Sequence, residues 1–417
     1  MSRSNSRLKI IAIGFNTYGT GLTRVMHDIM RPLADRHEIH YLGIGYSGET
    51  IRDRGLTIHP TNPNGGDVFA AFQAKDMIEE MDPDIVFILH DIWMFDYYLR
   101  ILGPYRGRLK IVCYIPLDGI IRNESDAAAL EHADRVVVYT RFAQKEFQDA
   151  FDRLHEKQGG EFPAVDVLPH GIDVTHFYPL PELLSAGFAS SGRTAAKKKV
   201  FGDFQGIEES FIVLNASRPD RRKRVDLTIK GFALFAKDKP PNVKLCLHHA
   251  IIDEPAREQI TSLVQEFEIV DRVYLNPLAG GIVDDPQLNL LFNACDVGIN
   301  TSMGEGWGLV CFEHGGTGAA QIVPAHSACA DLWHDRAEFM QPARSYIPDF
   351  TVLEMGEVSP EGVAEALNNL YYDPNRRAQL AQAAFETAQR PEYSWNQIAE
   401  RFSRLFQEMT NKIDRSK

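Results

Sequence analysis

Short, continuously apolar stretches alternate with longer amphipathic ones along the first half of the chain. Leu8–Gly14 (LKIIAIG), Glu38–Ile44, Ile85–His90 (IVFILH), Lys110–Ile115 (KIVCYI) and Arg135–Tyr139 (RVVVY) read as strands. Gly21–Arg36 reads as a helix, and helical patterns lie between most of the other strands. An unbroken apolar run is what a strand needs when both faces of its sheet are covered. Strands alternating with helices therefore predict an α/β fold with a doubly wound parallel sheet.

The rhythm breaks between Pro179 and about Gln205, where prolines, small residues and the run Lys197-Lys198-Lys199 read as a loop with a short helical piece. It then restarts. Phe211–Ala216, Val243–His248, Val273–Leu275, Asp296–Asn300 and Gln321–Pro324 read as strands, and Arg224–Ala236 as an amphipathic helix. Ser359–Tyr372, Asn375–Ala388 and Trp395–Met409 are helical with no strand between them. The expected organisation is a Rossmann-like domain over 1–185, a linker over 186–208, a second Rossmann-like domain over 209–392 and a C-terminal helix over 393–417. A length of 417 residues suits two such domains.

Composition narrows the class. The net charge of −13 argues against a nucleic-acid partner. No stretch approaches the ~18 apolar residues that a membrane span needs. The polar start, Met1–Lys9, runs straight into a strand and does not read as a signal peptide. The five cysteines show no metal spacing and read as free thiols of a cytoplasmic protein. Lys197–Lys199 with Arg3, Arg7 and Lys9 permits weak peripheral contact with the inner membrane face.

Doubly wound sheets bind ligands outside the carboxyl ends of their strands. Two of them predict a cleft lined by the loops that follow strands. One such loop is Asn300–Glu313 (NTSMGEGWGLVCFE). Its glycines let a ligand approach the backbone. A helix starting near Gly308 leaves the amides of Trp307, Gly308 and Leu309 to favour a phosphate. Glu305 and Glu313, eight residues apart, suit hydroxyl groups of an extended ligand, Glu313 a ribose diol and Glu305 a sugar. A second loop, Ala216–Asp226 (ASRPDRRKRVD), concentrates Arg218, Arg221, Arg222, Lys223 and Arg224 after a strand, a local anion site in an acidic protein. Arg221 and Arg222 read there as solvated charge.

Together these segments resemble family 4 of the retaining GT-B glycosyltransferases (glycosyl transferases group 1). The loop at 300–313 matches the family's E-x7-E in an E-G-[FW]-G context. Ala216–Asp226 is similar to its G-R-x4-K-G-x-D segment, and Pro169–Pro179 (PHGIDVTHFYP) to its N-G-V-D-x-x-x-F-x-P stretch. Gln321–Pro324 resembles the strand after the E-x7-E helix. The resemblance implies a nucleotide-diphosphate sugar donor, with Arg218 and Lys223 on its diphosphate and Glu305, Gly306, Trp307, Gly308, Leu309 and Glu313 around it. It implies transfer with retention of configuration, no cofactor and no metal, and a last helix that packs back on the first domain. Gly21, ahead of Gly19, is the match to a family glycine beside the diphosphate.

The first domain departs from the family in one place. Relatives carry a histidine after the strand matching Lys110–Ile115, where this chain has Pro116-Leu117-Asp118-Gly119. Asp118, the only ionisable residue of that loop, is expected to take a related catalytic role. His90-Asp91-Ile92-Trp93 follows another strand end and can line the acceptor side. His170 and Asp173 are expected to shape a loop at the domain end. His248-His249 lacks a third metal ligand, and Asp82-Pro83-Asp84 precedes its strand and so faces away from the ligand edge. The expected function is transfer of a hexose-type sugar to an acceptor glycan, lipid-linked sugar or small molecule. The competing readings are another GT-B enzyme (a sugar-nucleotide epimerase or a phosphorylase) and a non-catalytic nucleotide-sugar-binding protein.

Overall fold

In the computed structural model, residues 7–203, 205–249, 252–278 and 282–411 are described. Arg3 of the expected basic N-terminus lies outside them. The chain divides into two units. Unit 1 comprises Met1–Gly171, Pro348–Leu353 and Glu392–Lys417, and unit 2 comprises Ile172–Ile347 and Glu354–Pro391.

Unit 1 is built on β1 (Lys9–Phe15), β2 (Glu38–Ile44), β3 (Ile51–Asp53), β4 (Leu56–Pro60), β5 (Ile85–Leu89), β6 (Lys110–Ile115), β7 (Arg135–Val138) and β8 (Val165–Val167). Their order across the sheet is β3-β4-β2-β1-β5-β6-β7-β8, and only the β3–β4 pair is antiparallel. The continuous apolar runs are buried as the pattern requires: every side chain of β5 is out of water. Ile11, Ile13, Val86, Ile88, Ile111, Cys113 and Val136 meet in one core. Thr20 caps the helix Gly21–Ala34 by accepting the Thr23 amide. The C-terminal helix Trp395–Thr410 packs within this unit. His37 Nε2 lies 2.8 Å from Ser403 Oγ, and Arg401 donates to the Val167 carbonyl. Asp84 accepts the Lys9 amide at 2.8 Å, at the amino end of the sheet.

Unit 2 repeats the plan with β9 (Phe211–Asn215), β10 (Val243–Leu247), β11 (Val273–Leu275), β12 (Val297–Ile299), β13 (Ala320–Pro324) and β14 (Glu338–Met340). Their order is β11-β10-β9-β12-β13-β14, all parallel. A small antiparallel pair, β15 (Arg344–Tyr346) and β16 (Met355–Glu357), follows. The helix Val225–Ala236 lies so close to Pro360–Tyr372 that a Cβ on Gly231 would fall 2.2 Å from Val363. All five cysteines are free and buried.

Two expectations change here. The segment expected as a linker, 186–208, is built into unit 2, which begins at Ile172. The helix Thr194–Phe201 and the turn before it bury Arg193 and Lys197 against the start of β12. Lys197 Nζ lies 2.9 Å from Asp296 Oδ2 and also donates to the Ser210 carbonyl, with no exposure at either charged side chain. The three lysines therefore do not share one surface. A buried carboxylate has drawn one of them inside, and Lys198 pairs with Asp203 at 3.0 Å.

Candidate functional site

In unit 2 the chain passes from β9 to β10 and β11 on one side, then crosses to β12 on the other. The crevice between the carboxyl ends of β9 and β12 is thus the topological switch point, where sheets of this kind hold ligands. The two loops singled out from the sequence are those that flank it.

They are stitched together beneath the surface. Asn215, last in β9, donates to Thr228 Oγ1, which lies 2.8 Å from Thr301 Oγ1. Thr301 in turn donates to the carbonyls of Lys223 and Arg224. The Met303 amide donates to the Arg222 carbonyl at 2.8 Å. Asp220 accepts the amides of Arg222 and Lys223, which folds the basic segment into a turn.

Glu305 is the centre of this arrangement. It is buried, and its Oε1 accepts from Lys223 Nζ at 2.5 Å, Asn300 Nδ2 at 2.9 Å and Ser302 Oγ at 2.8 Å. Arg222 lies 3.4 Å from its other oxygen and also donates to the Gly304 carbonyl. Burial alone would raise the pKa of this carboxyl. Lys223 and Arg222, with the hydrogen bonds, outweigh it and hold the group down at about 2. Glu305 is therefore a fixed anion whose acceptor capacity is partly spent on holding two cations in place. Its own amide donates to Ser327 Oγ at 3.1 Å.

The helix after the loop runs from Leu309 to Gly316. Gly308 caps it with φ +88°, a left-handed conformation that favours glycine. A glycine cap offers no side-chain acceptor, and the first turn holds no acidic residue. The amides of Leu309, Val310 and Cys311 therefore head the helix without an intrahelical carbonyl. This is one residue further along than the sequence placed the helix start. Trp307 is buried and its ring stands edge-on to Phe312 at 5.3 Å, so its side chain takes part in the packing. Glu313 is buried in the second turn of the helix.

Arg218, in the loop after β9, does not join the Glu305 cluster. Its side chain is about half exposed and lies 3.5 Å from Asp220. Arg222, expected as solvated charge, points inward instead, because the Gly304 carbonyl and Glu305 attract it. Asn300, Ser302 and Ser327 were not anticipated either. Their types are common in loops, and only the fold brings Asn300 and Ser302 onto the Glu305 carboxylate and Ser327 onto its amide. His249, at the end of β10, is buried with Nδ1 2.5 Å from the Ser217 carbonyl. Among the described residues no group of three or more His, Cys, Asp or Glu side chains is placed to hold a metal.

Unit 1 carries the remaining candidates except Asp173, which lies in unit 2. Gly21 is the first residue of its helix, and Asp118 is half-buried in the loop after β6. His90 stands first after β5. His170 is packed between Tyr139, Tyr114 and Trp395, and Asp173 accepts from Thr175 to close a turn.

Residues 197–387 match the family model described as glycosyl transferases group 1. No curated protein matches the chain. Among solved structures, sucrose-phosphate synthase from Thermosynechococcus elongatus is similar at 16% identity, over 97% of this chain and 100% of that one, with a TM-score of 0.71. HepE from Anabaena, in complex with UDP and glucose, is similar at 15% identity over 96% and 100%, with a TM-score of 0.68. The catalytic domain of starch synthase IV from Arabidopsis thaliana, bound to ADP and acarbose, is similar at 14% identity over 98% and 100%, with a TM-score of 0.66. Identities this low speak for the fold, which is of the GT-B type, with two Rossmann-like parallel-sheet units. Within that fold, residues 197–387 belong to the glycosyl transferases group 1 family.

Proposed function

We propose that the chain is a retaining glycosyltransferase that moves a hexose-type sugar from a nucleotide-diphosphate donor to an acceptor hydroxyl. The observation that carries this reading is the cluster of Lys223, Arg222 and Glu305 at the β9–β12 switch point, beside a helix start capped only by glycine. Two cations and a row of amides suit a pyrophosphate, and a fixed carboxylate between them suits a sugar hydroxyl. The likeness to structures solved with UDP and glucose, or with ADP, agrees with a donor of this class.

In this reading Glu313 takes the ribose, and Arg218, Lys223 and the amides of Gly308 and Leu309 take the diphosphate. Glu305 orients the sugar and keeps Lys223 aimed. The anomeric bond breaks with oxocarbenium character, and the negative charge that develops on the leaving diphosphate is met by cations already in position. The acceptor hydroxyl attacks from the face that the diphosphate leaves, with retention and without a protein nucleophile. Gly21 and Asp118 keep the roles that the resemblance implies for them. No cofactor takes part, and the place of action is the cytoplasm.

Calorimetry with uridine, guanosine and adenosine diphosphates tests the reading. One of them should bind, and Arg218→Ala should weaken it by about one to two decades, the worth of one charge-assisted contact. Unchanged affinity in Arg218→Ala and in Lys223→Ala would remove the diphosphate assignment.

A further inference from the structure

Glu305 stands between Gly304 and Gly306, two residues that leave the backbone free to rotate. The peptide that joins Gly304 to Glu305 could therefore flip unless something outside the loop holds it. It is held on both edges. Its carbonyl accepts from Arg222, and its N–H donates to Ser327 Oγ at 3.1 Å. The following peptide is tied to the same place, because the Ala328 amide donates to the Glu305 carbonyl at 3.2 Å.

Ser327 is unusual in its own backbone. Its φ is +46°, in the left-handed region that glycine adopts freely and a residue with a Cβ adopts only under strain. It is buried, and among the described residues its hydroxyl has one further partner, His326 Nδ1 at 3.1 Å. Burial lowers the pKa of that ring to about 4, although the charge of Glu305 pulls the other way. The ring is thus neutral at physiological pH, and its Nδ1 can accept the hydroxyl proton, which leaves the lone pairs of Oγ for the Glu305 amide. The ring is packed so closely on β16 that a Cβ on Gly356 would lie 2.7 Å from its Cδ2. The same strand braces the loop, since the Gly356 amide donates to the Met303 carbonyl at 3.0 Å.

We propose that Ser327 is a positioning residue of the donor site: its hydroxyl locks the Gly304–Glu305 peptide in the orientation that keeps Arg222 on the Gly304 carbonyl and the Glu305 carboxylate on Lys223. This rests on the donor reading for what the cluster binds, but not for how the cluster is held. With the peptide flipped, the Arg222 guanidinium loses its carbonyl and the carboxylate loses its aim. Both cations then leave the place where a diphosphate would meet them.

Two substitutions separate the hydroxyl from the strain. Ser327→Ala removes the hydroxyl and keeps the strained backbone, whereas Ser327→Gly removes the hydroxyl and relieves it. The first measurement on the full-length chain needs no ligand: urea denaturation at pH 7 of the wild type, Ser327→Gly, Glu305→Gln and the double variant. The loss in the folding equilibrium constant caused by Glu305→Gln should be about tenfold smaller in the Ser327→Gly background. The second is calorimetry with uridine, guanosine and adenosine diphosphates. Both Ser327 variants should bind the preferred one about tenfold more weakly. Ser327→Gly should nevertheless melt at the wild-type temperature, because the relieved strain offsets the lost hydrogen bond, and a merely structural serine would not separate affinity from stability in this way. If the losses in urea are additive, or if both variants bind the diphosphate as the wild type does, the positioning proposal fails and the donor reading stands. If the wild type binds none of the three, the donor reading fails, and the urea measurement still decides whether Ser327 positions Glu305.

Discussion

Glu305→Gln isolates the electrostatics at the centre of unit 2. Glutamine keeps the shape and one carbonyl oxygen for Asn300 and Ser302, but leaves Lys223 and Arg222 facing no charge. The carboxyl is buried and its pKa falls from the usual 4.5 to about 2. At about 1.4 kcal/mol per tenfold, that fall corresponds to roughly 3 kcal/mol of folding stability. A lowered pKa contributes fully above the unfolded value near 4.5 and is lost as pH drops towards 2. The gap between wild type and variant should thus be about 3 kcal/mol at pH 7. About a quarter of it should be gone by pH 4 and about three-fifths by pH 3. Urea denaturation of both proteins across this range measures the gap, and other titrating groups cancel in the difference. A gap of the same size at pH 7 and pH 3 would refute the reasoning, because a pH-independent loss would come from packing and not from the ion pairs.

Other outcomes follow from the same geometry. Asp296→Ala should destabilise the fold by about 3–5 kcal/mol in urea, since Lys197 and Arg193 would be left buried without their anion. Gly308→Ala places a side chain at φ +88° with its nearest neighbours 4.0 Å away, so the cost is conformational and not a clash. Thermal denaturation should show a loss of about 1–2 kcal/mol, and the affinity for nucleoside diphosphate should fall as the helix start shifts.

Much of the architecture was written in the chain as pattern. Continuous apolar runs such as Ile85–Leu89 marked the central strands, because a strand covered on both faces must be apolar at every position. The position of Gly308 and the spacing of Glu305 and Glu313 marked the loop that follows β12. The short strands β3, β4, β8 and β14 escaped notice, since so few residues at or next to a sheet edge leave no distinct period.

Periodicity reports burial, not partners, and the rest depended on partners. Only the strand order made the loops after β9 and β12 neighbours across a switch point. Only that neighbourhood turned Arg222 inward onto Gly304 and Glu305 while Arg218 stayed at the surface, although the two are alike as residues and four positions apart. The same holds for Lys197, one of three consecutive lysines, taken fully inside by a carboxylate 99 positions away. A charged side chain goes where an opposite charge can offset its desolvation, and the chain's folding, not its local sequence, decides where that is.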